Sequence, residues 1–394
     1  MRVIGLISGT SADGIDTALC EIEGAPPSLR ARIVAGETFP YPADVRTRVL
    51  TSYEPARSST DELCRLNAEI GEAFAEAALR IIETAGLAPG DIDLLVSHGQ
   101  TVWHDVLPDG SVHSTIQLGE GAVLAERTGI TTINDLRNRD ISAGGQGAPL
   151  AGYVDWLLLR HPSKGRAVQN LGGIGNVSFL PPLSDTTTRP MAFDTGPSNA
   201  LIDDVLRLST DGRQTFDVDG ALARQGTVDR EWLQELLAHP YYQRQPPKTT
   251  GRELFGSAMA AELLSVGTAR GRSLADIVAT MTALTAYSVA DAYQRFAPFQ
   301  IDEVILGGGG RHNPVLVETL QELLAPAKVL TQEDIGENSD YKEALLCAVV
   351  GYETWHARPG VHPAITGARH PVVLGQITPG DNFVSLIRST WCDR

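Results

Sequence analysis

Three times along this chain an apolar run that reads as a buried strand breaks into a glycine-rich turn, and that recurrence limits the folds open to it. The first run, Val3 to Ile7, enters Ser8-Gly9-Thr10-Ser11-Ala12-Asp13-Gly14 and returns through Ile15 and Asp16 to Leu19, the pattern of a β-hairpin. The second, Ala167–Asn170, turns at Leu171-Gly172-Gly173-Ile174-Gly175 and comes back as Asn176–Leu180. The third, Asp302–Leu306, meets Gly307-Gly308-Gly309-Gly310-Arg311-His312-Asn313-Pro314 ahead of a helix over Val315–Leu324. Glycine lets successive backbone N–H groups converge on an anion, and hydroxyls add donors. Asp13 and Asp16 would repel a bare phosphate, so they suit one only with a cation such as Mg²⁺ between. A tight turn in a solvated hairpin is the plain alternative. Neither the Gly-Lys-Ser/Thr phosphate loop nor the dinucleotide fingerprint is present.

At 394 residues the chain predicts two domains or three. Lys plus Arg number 32 against 48 Asp plus Glu, a formal charge of −16, which argues against nucleic-acid and anionic-membrane partners. An anionic ligand would need local donors, a few arginines and a metal. Cys20, Cys64, Cys347 and Cys392 are scattered without metal-ligand spacing and read as reduced thiols of a cytosolic protein. Gly5 and Ser8–Asp16 interrupt any secretory h-region, and no apolar run reaches membrane-spanning length. The chain is expected to be cytoplasmic.

Taken in order, a strand is predicted around Arg32–Thr38. A helix follows from a capping box at Ser59 and Glu62 to about Thr84, with Gly86 as its stop. Asp91–Val96 predicts a strand that delivers Ser97-His98-Gly99-Gln100-Thr101 at its carboxyl end, where α/β sheets gather ligands. Asn134–Asp140 alternates acids and arginines, most simply a solvated ion-pair turn, and Ala143–Pro149 reads as a hinge. The second glycine hairpin opens a second domain, which suggests a duplicated architecture. Asp194-Thr195-Gly196-Pro197 ends a strand before a helix, as an N-cap cluster or as a carboxylate aimed into a cleft. A long core-packed helix is predicted over Ser273–Phe296, with Leu274, Ile277, Met281, Leu284 and Tyr287 inward, and another over Asp340–Tyr352.

The segments GLISGTSADGID, SHGQTVWH, AERTGITTINDLRNRD, AGGQGAPL, QNLGGIGNVSFL, AFDTGPSNALID and LGGGGRHNP, in register through Thr366–Gly375, resemble the anhydro-N-acetylmuramic acid kinase family. The resemblance implies an α/β, two-domain sugar kinase/Hsp70/actin-like (ribonuclease H-like) fold with a central cleft. With the hinge at Ala143–Pro149, an N-terminal domain is expected at 1–142, with 371–394 packing back on it, and a C-terminal domain at 143–370. The resemblance further implies an ATP- and Mg²⁺-dependent enzyme of cell-wall recycling, active as a homodimer on a small sugar. That enzyme opens the 1,6-anhydro ring with water and phosphorylates O6. Carried over by position, Gly9, Thr10, Ser11, Ala12, Asp13, Gly14, Ile15 and Asp16 would cradle the phosphates, with Asp13 and Asp16 on the metal. Gly172, Gly173, Gly308, Gly309 and Asn313 would complete the nucleotide site. Asp194 would be the general base, and His98, Gln100, Thr101, Arg137 and Glu343 would face the sugar. Ala12, Glu120 and Ser198 stand where the family usually carries Leu or Met, Asp, and Gly. A conventional sugar or acid kinase of the same superfamily, or a non-catalytic sugar or nucleotide sensor, are the competing readings.

Overall fold

The computed structural model describes residues 1–107, 109–252, 254–336 and 340–392. It divides into two compact units, Met1–Leu158 with Asp340–Arg394, and Leu159–Ser339. In the first unit the chain runs β1 (Arg2–Ser8), β2 (Ile15–Glu23), β3 (Arg30–Phe39), α1 (Ala43–Ser52), α2 (Thr60–Thr84), β4 (Leu94–Val106), β5 (Val112–Leu118), α3 (Gly121–Thr128), β6 (Thr132–Asn134), α4 (Asn138–Ser142) and α5 (Ala151–Leu158). The second unit holds β7 (Arg166–Leu171), β8 (Ile174–Leu180), β9 (Met191–Pro197), α6 (Asn199–Ser209), α7 (Ala221–Gln225), α8 (Arg230–Leu237), α9 (Pro240–Gln243), α10 (Ser257–Ala269), α11 (Leu274–Phe296), β10 (Glu303–Gly307), α12 (Pro314–Leu323) and β11 (Lys328–Thr331). The chain re-enters the first unit with α13 (Lys342–Trp355), α14 (Pro363–Thr366), β12 (Gln376–Thr378) and α15 (Phe383–Ile387).

Each unit is built on one sheet, and the two sheets share a strand order. In the first, β3-β2-β1 are antiparallel neighbours and β4 and β6 continue from β1 in parallel. In the second, β9-β8-β7 are antiparallel and β10 and β11 continue from β7 in parallel. The first sheet adds β12 on β6 and β5 on β4, both antiparallel. The duplication suggested by the two glycine hairpins is thus carried through five strands of each sheet.

The near-continuous apolar run of β1 follows from burial on both faces. Ile4 and Leu6 join a core with Leu66, Ile70 and Phe74 of α2. Gly5, pointing the other way, lies so close to α13 that a Cβ there would sit 1.8 Å from the Ala344 carbonyl oxygen. The opening of α13, with Glu343, is therefore set by a glycine in β1.

Several expectations are corrected. Ser59 does precede α2, but its hydroxyl donates to Asp61 (2.7 Å) and Glu62 pairs with Arg48, so no capping box forms. The stop at Gly86 forms as expected: its φ is +69°, and the Gly86 and Leu87 amides bond to Glu83 and Ile82. The polar run after Val96 lies inside β4, not beyond it, because β5 pairs with the extension through Val106. Ala143–Pro149 is no boundary. Asp140 accepts from the Gly147 N–H and the Thr366 hydroxyl, each at 2.8 Å, and the Gln146 N–H bonds to the Thr366 carbonyl, closing the loop within the first unit. The chain changes unit after Leu158 and again before Asp340, so 143–158 and 340–370 belong with the N-terminal sheet. Tyr287, expected inward on α11, is 37% exposed.

Candidate active site

The β1–β2 turn is braced from behind. Its own closure is the Ala12 N–H bond to the Gly9 carbonyl (3.0 Å), with Ala12 at φ +48° and fully buried. Arg46 Nε donates to the Ala12 carbonyl (2.8 Å), and Gln100 Nε2 donates to the Gly9 carbonyl (3.0 Å) and to Tyr53 (3.0 Å). The Tyr41 hydroxyl donates to Gln100 Oε1 (3.2 Å). Gln100 is fully buried and serves as a strut of the turn. Thr10, Ser11 and Asp13 remain on the surface, with Ser11 donating to Asp13 (2.8 Å), while Gly14 and Ile15 are buried.

Asp16 accepts from the Thr38 hydroxyl (2.7 Å). Burial raises its pKa, the Thr38 bond opposes this, and the charges of Asp13 and Asp340 raise it further. A divalent cation beside Asp16 would relieve the repulsion that Asp13 and Asp340 exert on it. Among the described residues no set of three His, Cys, Asp or Glu is arranged to hold a metal by itself. Mg²⁺ on a nucleotide needs only one or two carboxylates beside its waters and phosphates, so Asp13 and Asp16 fit that role.

A second group lies where β4 bulges. The β1–β4 register shifts at His98, and Gly99 takes φ +73°. His98 is 4% exposed; Arg137 Nε donates to its Nε2 (2.8 Å), and its Nδ1 faces the Gly99 carbonyl (3.2 Å). That pairing fixes a neutral ring with the proton on Nδ1. Burial, then the Arg137 charge, drives its pKa down to about 3. Both nitrogens are engaged, so His98 orients Arg137, and the expected solvated ion-pair turn is instead a half-buried arginine held in place. Thr101 accepts from Gln117 Nε2 (3.3 Å) on the β4–β5 hairpin. Glu343 opens α13 with solvent access, yet protein crowding raises its pKa, the Asp16 charge adds, and Arg137 and Lys342 oppose. Because water still reaches it, the upward push is weaker than in a sealed carboxyl.

In the second unit the β7–β8 turn and the β10 glycines pack together. Gly308 has φ +77°, and a Cβ there would meet Asn170 Oδ1 at 2.4 Å. At Gly173 and Gly309 a Cβ would meet nothing nearer than 3.8 and 3.7 Å, so these two present open backbone. The first amides of α6 are not free for an anion. Asn199 N–H bonds to the Gly172 carbonyl, and Ser198 and Ala200 N–H to the Gly173 carbonyl, all at 3.0 Å. Ser198 takes an ordinary negative φ of −121°, so a serine there carries no left-handed strain. Glu120 likewise serves structure, capping α3 through the Ala122 N–H (3.2 Å). Asn313 is buried and spends Oδ1 on the Val315 and Leu316 amides as the N-cap of α12.

Asp194 stands within β9, opposite Asn176. Its N–H bonds to the Lys248 carbonyl (3.1 Å), its carbonyl accepts from the Tyr241 hydroxyl (2.7 Å), and its Oδ2 accepts from the Thr250 N–H (2.9 Å). The carboxylate is thus oriented by a backbone N–H. The sequence reading missed 241–250. Its only local signal was the turn-rich Pro246-Pro247-Lys248-Thr249-Thr250-Gly251. Arg252 is held by Asp204 (3.4 Å) with its guanidinium beside Gly173; Glu253 lies outside the described residues.

Two sheets of one strand order, each opened by a glycine-turn hairpin, define an α/β protein of the sugar kinase/Hsp70/actin class. Residues 1–380 match the family model for anhydro-N-acetylmuramic acid kinase. A protein of that name from Caldanaerobacter subterraneus subsp. tengcongensis is 46% identical over 382 residues, covering 95% of this chain and 96% of its own. Those of Acaryochloris marina, 44% over 380 residues (96% and 99%), and Rhodococcus erythropolis, 43% over 393 (99% and 97%), are similar along their whole length. The chain belongs to the anhydro-N-acetylmuramic acid kinase family. Solved structures align more distantly, as does a ROK family glucokinase from Streptomyces griseus in complex with glucose and AMPPNP. It is 12% identical over 89% of this chain and 99% of its own, at a TM-score of 0.37, too remote to bear on function.

Proposed function

We propose that this chain is an ATP-dependent kinase that opens the 1,6-anhydro ring of 1,6-anhydro-N-acetylmuramic acid and phosphorylates O6. The products are N-acetylmuramic acid 6-phosphate and ADP, and the role is in peptidoglycan recycling. The observation that carries the chemistry is Asp194, aimed by the Thr250 N–H bond to its Oδ2.

Glycoside cleavage ordinarily takes two carboxyl groups, one acting on water and one protonating the departing oxygen. Here Asp194 takes a proton from water as the water oxygen bonds to C1. The C1–O6 bond breaks with its electrons on O6, and O6 takes the γ-phosphoryl group in place of a proton. One base therefore suffices, and Asp194 later returns its proton to solvent. ATP with Mg²⁺ supplies the phosphoryl group and neutralises its charge. The Gly9–Asp16 turn, held by Gln100 and Arg46, orients phosphates, with Asp13 and Asp16 on the metal side. Gly173, Gly309 and Arg252 offer open backbone and a cation to the nucleotide. Arg137, oriented by His98, with Thr101 and Glu343, receives the sugar. Asn313, Gly172 and Gly308 support the nucleotide site by shaping its backbone.

No helix among the described residues is long and apolar enough to cross a membrane. A cytoplasmic homodimer, with no nucleic-acid or membrane partner, is the working state that goes with this reading. The experiment is an ADP-release assay with the anhydro sugar against N-acetylmuramic acid, N-acetylglucosamine and glucose. Turnover is expected with the anhydro sugar and Mg²⁺, and lost with EDTA. Equal turnover on a free sugar would point to a conventional kinase.

A further inference from the structure

Lys248 is a buried ammonium that the reaction above does not use. It is 6% exposed, and its Nζ lies 5.0, 4.9 and 5.6 Å from the ring centroids of Tyr241, Phe296 and Phe193. Its one direct hydrogen bond described is a long one, 3.4 Å, to the Tyr242 carbonyl. Burial pulls its pKa down, Asp291 opposes, and Arg295 and Arg244 add to the fall. Burying a lysine is costly unless it is compensated, and three ring faces compensate through their quadrupoles.

What this aromatic box fixes is backbone. The Lys248 carbonyl accepts from the Asp194 N–H, and two residues on the Thr250 N–H donates to Asp194 Oδ2. Tyr241, one wall of the box, donates its hydroxyl to the Asp194 carbonyl. Phe193, another wall, is the residue before Asp194. Asp194 is thus tied to the box and to the 248–250 segment by three hydrogen bonds, one of them at its carboxylate, and by one peptide link.

We propose that Lys248 is the positioning residue of the base: its ammonium, clamped between Tyr241, Phe193 and Phe296, holds the 248–250 backbone so that the Thr250 N–H stays on Asp194 Oδ2. This rests on Asp194 being the base. Lys248 touches neither sugar nor phosphate in this scheme. A hydrogen bond to the charged form keeps a carboxylate ionised, so releasing the strap raises the Asp194 pKa and lets the carboxylate swing off line.

The test is the pH profile of kcat/KM for the anhydro sugar in the full-length enzyme and in Lys248→Met, Phe296→Leu and Asp194→Asn. Methionine keeps the apolar stem and removes the charge. In Lys248→Met the acid limb is expected to move up by about half a unit or more. Its kcat should fall roughly tenfold, with the KM for ATP unchanged. Phe296→Leu, which loosens the box without touching the lysine, should move the limb the same way by less. A purely structural role would lower the amount of folded enzyme and leave the limb in place. An inactive Asp194→Asn beside unmoved limbs in both other variants overturns the role of Lys248 alone. An Asp194→Asn enzyme as active as wild type overturns the base assignment and this proposal with it. If Lys248→Met does not fold, Phe296→Leu decides.

Discussion

Asp203 and Asp204 are neighbours on α6 with opposite fates. Asp204 is fully buried and paired with Arg207 (2.7 Å), Arg252 and the Ser257 hydroxyl (2.8 Å). Burial lifts the Asp203 carboxyl to about 6, with Arg252 opposing, Asp204 adding, and Arg207 opposing. The native state then holds that proton more tightly than the unfolded chain, whose Asp titrates at 3.8. Stability on this account is full below the unfolded value and is lost as pH rises through about 6. Asp203→Asn should therefore stabilise the protein by about 1–2 kcal/mol at pH 7.5, and the gain should vanish at pH 4. Urea midpoints at the two pH values measure this; a loss at pH 7.5 would mean that the arginines outweigh burial. Other side chains show what a sequence hides. His98 and Gln100 carry the polarity of ligand-binding groups, yet their decisive partners, Arg137 and Gly9, lie 39 and 91 residues away. Asp194 was legible as an acid within a strand–turn–helix pattern. Its aim was not, because the donor is 56 residues downstream in an irregular loop.

Elements whose cause is local were the readable ones. The glycine hairpins and the Gly86 stop of α2 need only neighbouring residues, and they formed where the pattern put them. The length of β4 depends on its pairing with β5, and the expected Ser59 box lost its glutamate to Arg48, so neither could be read from a window. The contact of β1 with α13 is of the second kind, since it joins residues at opposite ends of the chain. It gives a sharp expectation for Gly5→Ala. The added Cβ would meet the Ala344 carbonyl at 1.8 Å and the Ala348 amide at 2.9 Å, both backbone, so α13 must shift bodily. Overpacking of this kind costs about 1–3 kcal/mol. Because Glu343 is the residue before the point of contact, the KM for the sugar should rise along with the fall in melting temperature. A lowered melting temperature with an unchanged sugar KM would separate Glu343 from sugar binding.

The duplication of strand order was visible in the sequence only as two similar hairpins, because five-strand topology is written in pairings rather than in residues. The domain limits were misplaced for the same reason. A glycine run at 143–149 reads as a hinge until Asp140 and Thr366 are seen to close it. If one base serves a single coupled event, ring opening and phosphoryl transfer cannot be separated by mutation of that base. Asp194→Asn should retain ATP binding and lose both anhydro-ring opening and ADP release, by about 10²–10⁴-fold. Wild-type turnover in ¹⁸O-water should place label on the C1 hydroxyl in the first product formed, before anomeric exchange. A conventional kinase, whose base would deprotonate an acceptor hydroxyl, would yield early product without label. Retained phosphorylation after loss of ring opening would equally break the coupling, because O6 becomes an acceptor only as its bond to C1 breaks.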